Sequence, residues 1–364
     1  MTTVVVVDDS ASARLALRHA LELDVSIRVV ADASNATRAE LAIREHRPDI
    51  VTMDVHLGSE DGIECAGRIM NACPTPILIV TGLDPKDPDL VFRAMQAGAL
   101  EVFPKLPGPS SPAYSEGRTR LVRTVKALAR VPVVTRHRRS APATRAASTP
   151  PAPGSRRSTA IENGSPRLVA IGASTGGPPV LHSLLSSLPA PFPVPIAIVQ
   201  HICAGFTQGL ATWLSTTTGH DVRVCENCDR LEPGRVYLGA DARHLRVLSD
   251  AHLGPAGGAP RHLYRPAIDE LFESAAQKLG PSVVAVLLTG MGSDGADGLR
   301  ALREAGALTL AQSFETCVVD SMPRHAHSAG AVAHLLHPDE IGAMLRRIAT
   351  RSEDEHSQDI GRTR

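Results

Sequence analysis

Short apolar runs, each ending in a polar residue and followed by a helical stretch, recur along this chain and restrict its fold more than any other feature. Thr3-Val-Val-Val-Val7 is apolar at consecutive rather than alternate positions, as in a strand covered on both faces. Further strands are predicted over Val25–Ala31, Pro48–Met53, Pro76–Thr81 and Leu100–Phe103. Helical patterns fall between them: through Leu23, over Thr37–Glu45, from Asp61-Gly62, over Asp89–Ala97 and finally over Glu116–Arg130. Five strands alternating with five helices predict a doubly wound parallel α/β sheet.

A second series starts at Arg167. Strands are predicted over Leu168–Ala173, Val194–Gln200 and Val283–Thr289, and helices over Pro178–Leu188, Phe206–Thr217, Pro266–Leu279, Ala296–Ala305 and Pro338–Ile348. Several short strands are expected over 221–249, with turns at Glu232-Pro-Gly234 and Leu238-Gly-Ala240, and two more around Leu308–Ala311 and Cys317–Val319. Residues 131–165, between the series, are rich in Pro, Ala, Ser, Thr and Arg and nearly free of large apolar side chains. Such a segment cannot bury enough surface to offset its ordering entropy, so a flexible linker is expected, solvated by Arg136, Arg138, Arg139, Arg156 and Arg157. The expected organisation is a domain over 1–130, the linker over 131–165, a second domain over 166–349 and a disordered tail over 350–364.

The 38 basic and 38 acidic residues cancel, which gives no footprint for nucleic acid or an anionic membrane. No apolar run is long enough to span a bilayer and no secretory signal is visible, so a cytoplasmic location without membrane insertion is expected. The six cysteines are scattered and expected to be reduced. Cys225-Glu-Asn-Cys228 is a lone CxxC, with neither the second pair of a zinc site nor the helix of a redox motif.

In a parallel sheet, ligands bind beyond the carboxyl ends of the strands. Asp8 and Asp9 follow the first strand, Asp54 ends the third, Thr81 ends the fourth and Lys105 follows the fifth, so all five converge on one edge. Three clustered carboxylates repel one another unless a cation lies among them, which makes Asp8, Asp9 and Asp54 an all-oxygen site suited to Mg²⁺. A hydroxyl and an ammonium beside them would serve an added phosphoryl group. Singly, any of these residues could be a loop-capping polar group; five at strand ends point to chemistry. Residues 1–130 resemble the receiver domain of bacterial two-component response regulators, a flavodoxin-like (βα)5 fold. The match is carried by Val7-Asp8-Asp9-Ser10, Asp54, Thr81 and Lys105. The resemblance implies that Asp54 takes a phosphoryl group from a histidine kinase, with Mg²⁺ held by Asp9 and Asp54 and helped by Asp8, and with Thr81 and Lys105 as switch residues. The sequence departs from that family at Leu57-Gly58, at Pro107 and at Val102.

The second half carries Gly172-Ala-Ser174-Thr-Gly176, a G-x-S-x-G pattern at a strand-to-helix turn. A serine there is exposed to substrate, with the helix amides behind it. Serine needs a base, and the base an orienting acid. His201 ends the next apolar strand, and Asp294 follows a third; if the strands are parallel, all three lie on one edge. His182, His220, His244, His252 and His262 occupy helices, loops or short strands. His201 could be an ordinary surface histidine, and Asp294, like its neighbour Asp297, a cap for the helix from Ala296. The order Ser, His, Asp differs from the Ser, acid, His order of α/β-hydrolases, which argues for a different fold carrying the same chemistry.

Residues 166–349 resemble the catalytic domain of the chemotaxis protein-glutamate methylesterases, the CheB family. The match rests on Ile171-Gly-Ala-Ser-Thr-Gly-Gly177, Gln200-His201, Tyr264-Arg-Pro266 with Asp269, Leu288-Thr-Gly-Met-Gly292, Asp294-Gly295, Ala311-Gln312 and Met322-Pro-Arg324. The resemblance implies a doubly wound, mainly parallel α/β domain. It also implies demethylation of glutamate methyl esters, with deamidation of glutamines, on methyl-accepting chemoreceptors. Ser174 would be nucleophile, His201 base and Asp294 orienter, with backbone amides of Thr175 and Met291 for the oxyanion and no cofactor for the ester chemistry. The receiver would cover the active-site edge until phosphorylated, in a monomer. Two rivals stand beside this. A glycine-rich turn after a strand can hold a dinucleotide pyrophosphate, but Gly172, Gly176 and Gly177 do not give G-x-G-x-x-G. A phosphorylation-dependent adaptor with an inactive esterase domain is opposed by the complete Ser, His, Asp set.

Overall fold

The computed structural model describes residues 1–83, 88–131, 166–262 and 264–349. The linker expected over 131–165, Val131 apart, and the tail expected over 350–364 lie outside the described residues.

The N-terminal half is a five-stranded parallel sheet of β1 (Thr2–Val7), β2 (Ile27–Ala33), β3 (Ile50–Met53), β6 (Ile77–Thr81) and β7 (Glu101–Pro104), in the order β2-β1-β3-β6-β7. Helices α1 (Ala11–Glu22), α2 (Ala36–His46), α3 (Gly62–Ala72), α4 (Pro88–Gln96) and α5 (Tyr114–Leu128) cover its faces. Val4–Val7 are almost wholly buried, as consecutive apolar residues require in a two-sided layer. Ser10 caps α1 by accepting from the Ala13 amide, which pins the loop holding Asp8 and Asp9. A short hairpin of β4 (His56–Leu57) and β5 (Glu60–Asp61) follows Asp54, and Asp61 caps α3 through the amides of Ile63 and Glu64. The order reverses between β1 and β3, so Asp8, Asp9 and Asp54 stand at the switch point.

The C-terminal half is a seven-stranded parallel sheet in the order β10-β12-β9-β8-β15-β16-β17. Its strands are β8 (Leu168–Ala173), β9 (Ile196–Gln200), β10 (Asp221–Cys225), β12 (Arg235–Gly239), β15 (Val283–Leu287), β16 (Leu308–Gln312) and β17 (His334–Leu336). A small antiparallel sheet is made by β11 (Asp229–Arg230), β14 (His252–Ala256) and β13 (His244–Val247). The helices are α6 (Gly177–Ser186), α7 (Thr207–Thr218), α8 (Ile268–Leu279), α9 (Ala296–Glu304), α10 (Ser321–Ser328) and α11 over 338–349. One apolar core fills each face of the sheet. Among the described residues, no helix is long and apolar enough to cross a membrane.

Three local expectations are corrected. Leu238-Gly-Ala240 is not a turn: β12 runs through Gly239, paired in parallel with both β10 and β9. Cys317–Val319 is not a strand; its backbone is used at the site, where Gly290 donates to the Val319 carbonyl and Val319 to the Thr289 hydroxyl. Helix α10 and strands β14 and β17 stand where no element was expected. Pro323 lies in the first turn of α10, where its missing N–H costs nothing.

The halves are docked. Helix α4 packs on α7, and Cys203 and Phe206, just past β9, are buried as part of the core of the N-terminal half with Ile202, Val318 and Val319 beside them. Strand β7 and helix α5 thereby lie over the carboxyl edge of the second sheet.

Candidate active site and phosphoacceptor pocket

At the receiver edge, Lys105 Nζ bridges Asp8 Oδ2 at 2.6 Å and Asp54 Oδ2 at 2.8 Å. Asp54 Oδ1 accepts from the Val55 amide at 2.8 Å, and Asp9 Oδ2 from the Gly58 amide at 3.2 Å. Asp8, Asp9 and Asp54 offer carboxylate oxygens within 4.8 Å of one another. Burial raises the Asp54 carboxyl above its usual range, the charge of Asp8 adds to this, and the Lys105 ammonium and the Val55 amide work against it. Such a donor set, hard oxygens with surplus negative charge, fits a Mg²⁺ ion. The loop is close-packed behind it: a Cβ on Gly62 would lie 1.8 Å from the Asp54 carbonyl oxygen, so only glycine can start α3 here. Thr81 is buried, its hydroxyl accepting from the Leu83 amide at 3.1 Å.

In the second sheet, β8 lies between β9 and β15, and the order of connection reverses there. Ser174 follows β8, His201 follows β9 and Asp294 lies in the loop after β15, so the three share one edge at the switch point. His201 Nε2 and Asp294 Oδ2 are 2.8 Å apart. The other ring nitrogen, Nδ1, is buried and has no hydrogen-bond partner. Asp294 does not cap α9, the role that competed with orienting the histidine. Its Oδ2 and Oδ1 accept instead from the amides of Ile268 and Asp269, at 2.8 and 3.0 Å, the first turn of α8. Asp269 returns the arrangement by accepting from the Gly298 amide of α9 at 2.7 Å. Each helix start is thus capped by a carboxylate belonging to the other. Burial would raise the Asp294 carboxyl, but His201 and these two amides outweigh it and hold it below its usual range. Asp269 has Arg261 at 3.5 Å and the His262 ring at 3.1 Å, yet burial, helped by the charge of Asp294, outweighs Arg261 and the Gly298 amide and pushes it up to about 6.

The serine turn is held by Gln200 and Thr289, whose motifs the sequence reading quoted without giving either side chain a role. Gln200 Nε2 donates to the carbonyls of Ser174 (2.8 Å) and His201 (2.9 Å), tying the two loops. Ser174 N donates to the Thr289 carbonyl, and the Thr289 hydroxyl donates to the Thr175 carbonyl at 3.1 Å. The left-handed backbone falls on Gly176 (φ 76°), not on the serine. A Cβ on Gly290 would lie 2.6 Å from that of Ser174, so the loop carrying Met291 can approach only as glycine. Among the described residues the amides of Thr175 and Met291 donate to no other backbone group outside the regular helices and strands, and both residues line the cavity beside Ser174.

That cavity, about 220 Å³, is roofed by the receiver: Glu101 of β7 and Arg120 and Arg123 of α5 face Ser174, His201 and Tyr264. The Arg123 guanidinium sits 5.1 Å from the Tyr264 ring centroid, and Tyr264 stacks on His201. Burial pushes the Glu101 carboxyl up to about 7, against the pull of Arg120, the Thr175 side chain and Arg123. Glu101 Oε2 and Arg123 Nε are buried without hydrogen-bond partners. Two unpaired polar atoms make this a costly interface to hold closed.

Residues 169–345 match the family model of the CheB methylesterase and residues 4–110 that of the response regulator receiver domain. The protein-glutamate methylesterase/protein-glutamine glutaminase 3 of Anaeromyxobacter dehalogenans is 42% identical over 351 residues, 95% of this chain and 98% of that protein. The protein-glutamate methylesterase/protein-glutamine glutaminase 4 of Geobacter metallireducens is 40% identical over 352 residues, 96% of this chain and 99% of that one. The crystal structure of the Thermotoga maritima CheB methylesterase catalytic domain covers 50% of this chain and 99% of its own, with 34% identity and a TM-score of 0.49. By its similarity over nearly the full length of these relatives, the chain belongs to the protein-glutamate methylesterase/protein-glutamine glutaminase family of chemotaxis enzymes, with a response regulator receiver domain ahead of the CheB methylesterase domain.

Proposed function

We propose that Ser174, His201 and Asp294 perform the family's hydrolysis, with a receiver over about 1–130 controlling an esterase over about 166–349. The chain is a phosphorylation-controlled chemotaxis hydrolase that demethylates glutamate methyl esters and deamidates glutamines. The observation that carries the assignment of residues is the buried His201–Asp294 pair at the strand end beside Ser174.

Asp294 engages Nε2 and so selects the tautomer in which Nδ1 is the free lone pair. Nδ1 takes the Ser174 proton as the hydroxyl oxygen attacks the ester carbonyl. Negative charge developing on the carbonyl oxygen meets the amides of Thr175 and Met291. Collapse expels methanol, protonated by His201, or ammonia from a glutamine. Water then attacks the acyl-enzyme by the reverse of the same steps and frees glutamate. No step calls for a cofactor.

Control resides in the other half. Asp54 accepts the phosphoryl group of a histidine kinase, and Asp8, Asp9 and Asp54 would hold Mg²⁺. The ion, when bound, neutralises phosphoryl charge. Lys105 and Thr81 contact the modified carboxylate. Phosphorylation raises activity by favouring the undocked arrangement, in which β7 and α5 no longer roof the cavity. Methyl-accepting chemoreceptors supply the substrate. The chain is read as a monomer in the cytoplasm.

The test is methanol release from methylated receptor with and without acetyl phosphate and Mg²⁺. Ser174→Ala is expected to lose at least about a thousandfold in rate, and a fluorophosphonate probe is expected to label wild type and not the variant. A wild-type chain that neither labels nor releases methanol would support an adaptor without esterase activity.

A further inference from the structure

Tyr264 is outside the Ser, His, Asp set, yet its ring stacks on the histidine. The two rings lie face to face, centroids 3.7 Å apart and planes 5° from parallel. Tyr264 is tied to the chain on both sides. Arg261 and Tyr264 exchange two backbone hydrogen bonds, 3.0 and 2.8 Å, and α8 begins four residues later with amides held by Asp294. Asp294 therefore grips the imidazole at one edge and the tyrosine's loop at its far end. A single hydrogen bond at Nε2 leaves the ring free to rotate about that bond. The Tyr264 face removes that freedom.

The stacking also says which protonation state the ring pair suits. Two neutral rings this close and parallel set one negative π face against another, and neutral aromatic pairs prefer wider offset or edge-on packing. A cation over the same face is attracted to it. During attack His201 carries the serine's proton and becomes a cation. Tyr264 also meets the Arg123 guanidinium of the receiver, 5.1 Å from its centroid. The charged groups acting on Tyr264 are Arg123, Glu101, Asp294 and Arg120, three of them from the receiver.

The geometry points to Tyr264 as a positioning residue for the reaction: its ring sets the plane of the His201 imidazole and backs the positive charge that the imidazole acquires. This rests on the reading of His201 as the base. With the ring removed, the imidazole keeps its partner Asp294 but loses its orientation toward Ser174 and the π face beneath its charge. The loss then falls on the chemical step and not on substrate binding.

The experiment compares full-length wild type, Tyr264→Leu and Tyr264→Phe on methylated receptor with saturating acetyl phosphate and Mg²⁺, with kcat and KM resolved. Leu is expected to lower kcat roughly three- to tenfold with KM within about twofold. Phe, which keeps the face and loses the hydroxyl, is expected to restore most of it. Should the Leu chain melt below the assay temperature, Tyr264→Met replaces it, filling the volume without a π face. The inference is overturned if the aliphatic variant keeps the wild-type kcat, if its loss lies in KM alone, or if Phe is as slow as the aliphatic variant. Wild type that releases no methanol would overturn the parent reading and this one together. Normal wild-type turnover with an unaffected aliphatic variant overturns this one alone.

Discussion

Glu101→Gln tests what the docked receiver costs. The Glu101 carboxyl is pushed from 4.5 up to about 7 by burial against the catalytic half, despite Arg120, Thr175 and Arg123. With a raised value in the docked arrangement, docking favours the protonated acid. The Glu101 contribution to docking is complete below about pH 4.5 and is lost as the pH rises to about 7. At about 1.4 kcal/mol per pH unit, the penalty above pH 7 is about 3 kcal/mol. Glutamine keeps the shape without the charge and removes that penalty. If unstimulated turnover depends on prior undocking, Glu101→Gln should lower it by about three-hundredfold at pH 8 and by about tenfold at pH 5.5. The assay is methanol release from methylated receptor without phosphodonor, read as the ratio of wild type to variant at each pH. With acetyl phosphate and Mg²⁺ the two chains should converge. An unstimulated rate in the variant equal to or above wild type would refute the reasoning and show that the carboxylate holds the receiver down through its arginines.

Three further outcomes are expected. Asp54→Asn should abolish the rise in methanol release on adding acetyl phosphate and Mg²⁺; a rise that persists would place control elsewhere. Asp294→Asn should cost about 10³- to 10⁴-fold in kcat by presenting the wrong partner to Nε2, and a thermal melt should also fall because two α8 amides lose a charged acceptor. The Asp294 contribution to stability is fully present above pH 3.8, the ordinary value, and is lost as pH falls through the lower folded one, so the melts of wild type and variant should approach each other in strong acid. Arg123→Gln removes the cation over Tyr264 and one of the charges offsetting Glu101; unstimulated methanol release should rise about two- to fivefold, and an unchanged rate would show that this contact contributes nothing to docking.

Much of the chemistry was legible because parallel α/β sheets write it in a simple place. A carboxylate, serine or histidine just past an apolar run stands at the sheet's carboxyl edge, whichever helices intervene. Asp8, Asp54, Ser174 and His201 are of this kind. The second partner of Asp294 was not legible, since α8 starts 26 residues before it in the chain and reaches it only by packing. The loop at Cys317–Val319 misled for a related reason: its apolar residues are half-buried against the docked receiver and the serine turn, not by sheet pairing.

The amino-acid order by itself determined two α/β layers, the edge on which each site lies and the residue types available there, because strand burial and strand-end position are local properties of the pattern. Only the tertiary structure decided which nitrogen of His201 faces Asp294, that Gln200 and Thr289 lock the serine turn, and that Tyr264 lies flat on the imidazole. It also decided that Glu101 and Arg123, unremarkable surface charges in the pattern of β7 and α5, roof the cavity. Those facts depend on contacts between segments far apart in the chain, such as Glu101 and Met291 around one cavity, whose orientation no local periodicity encodes.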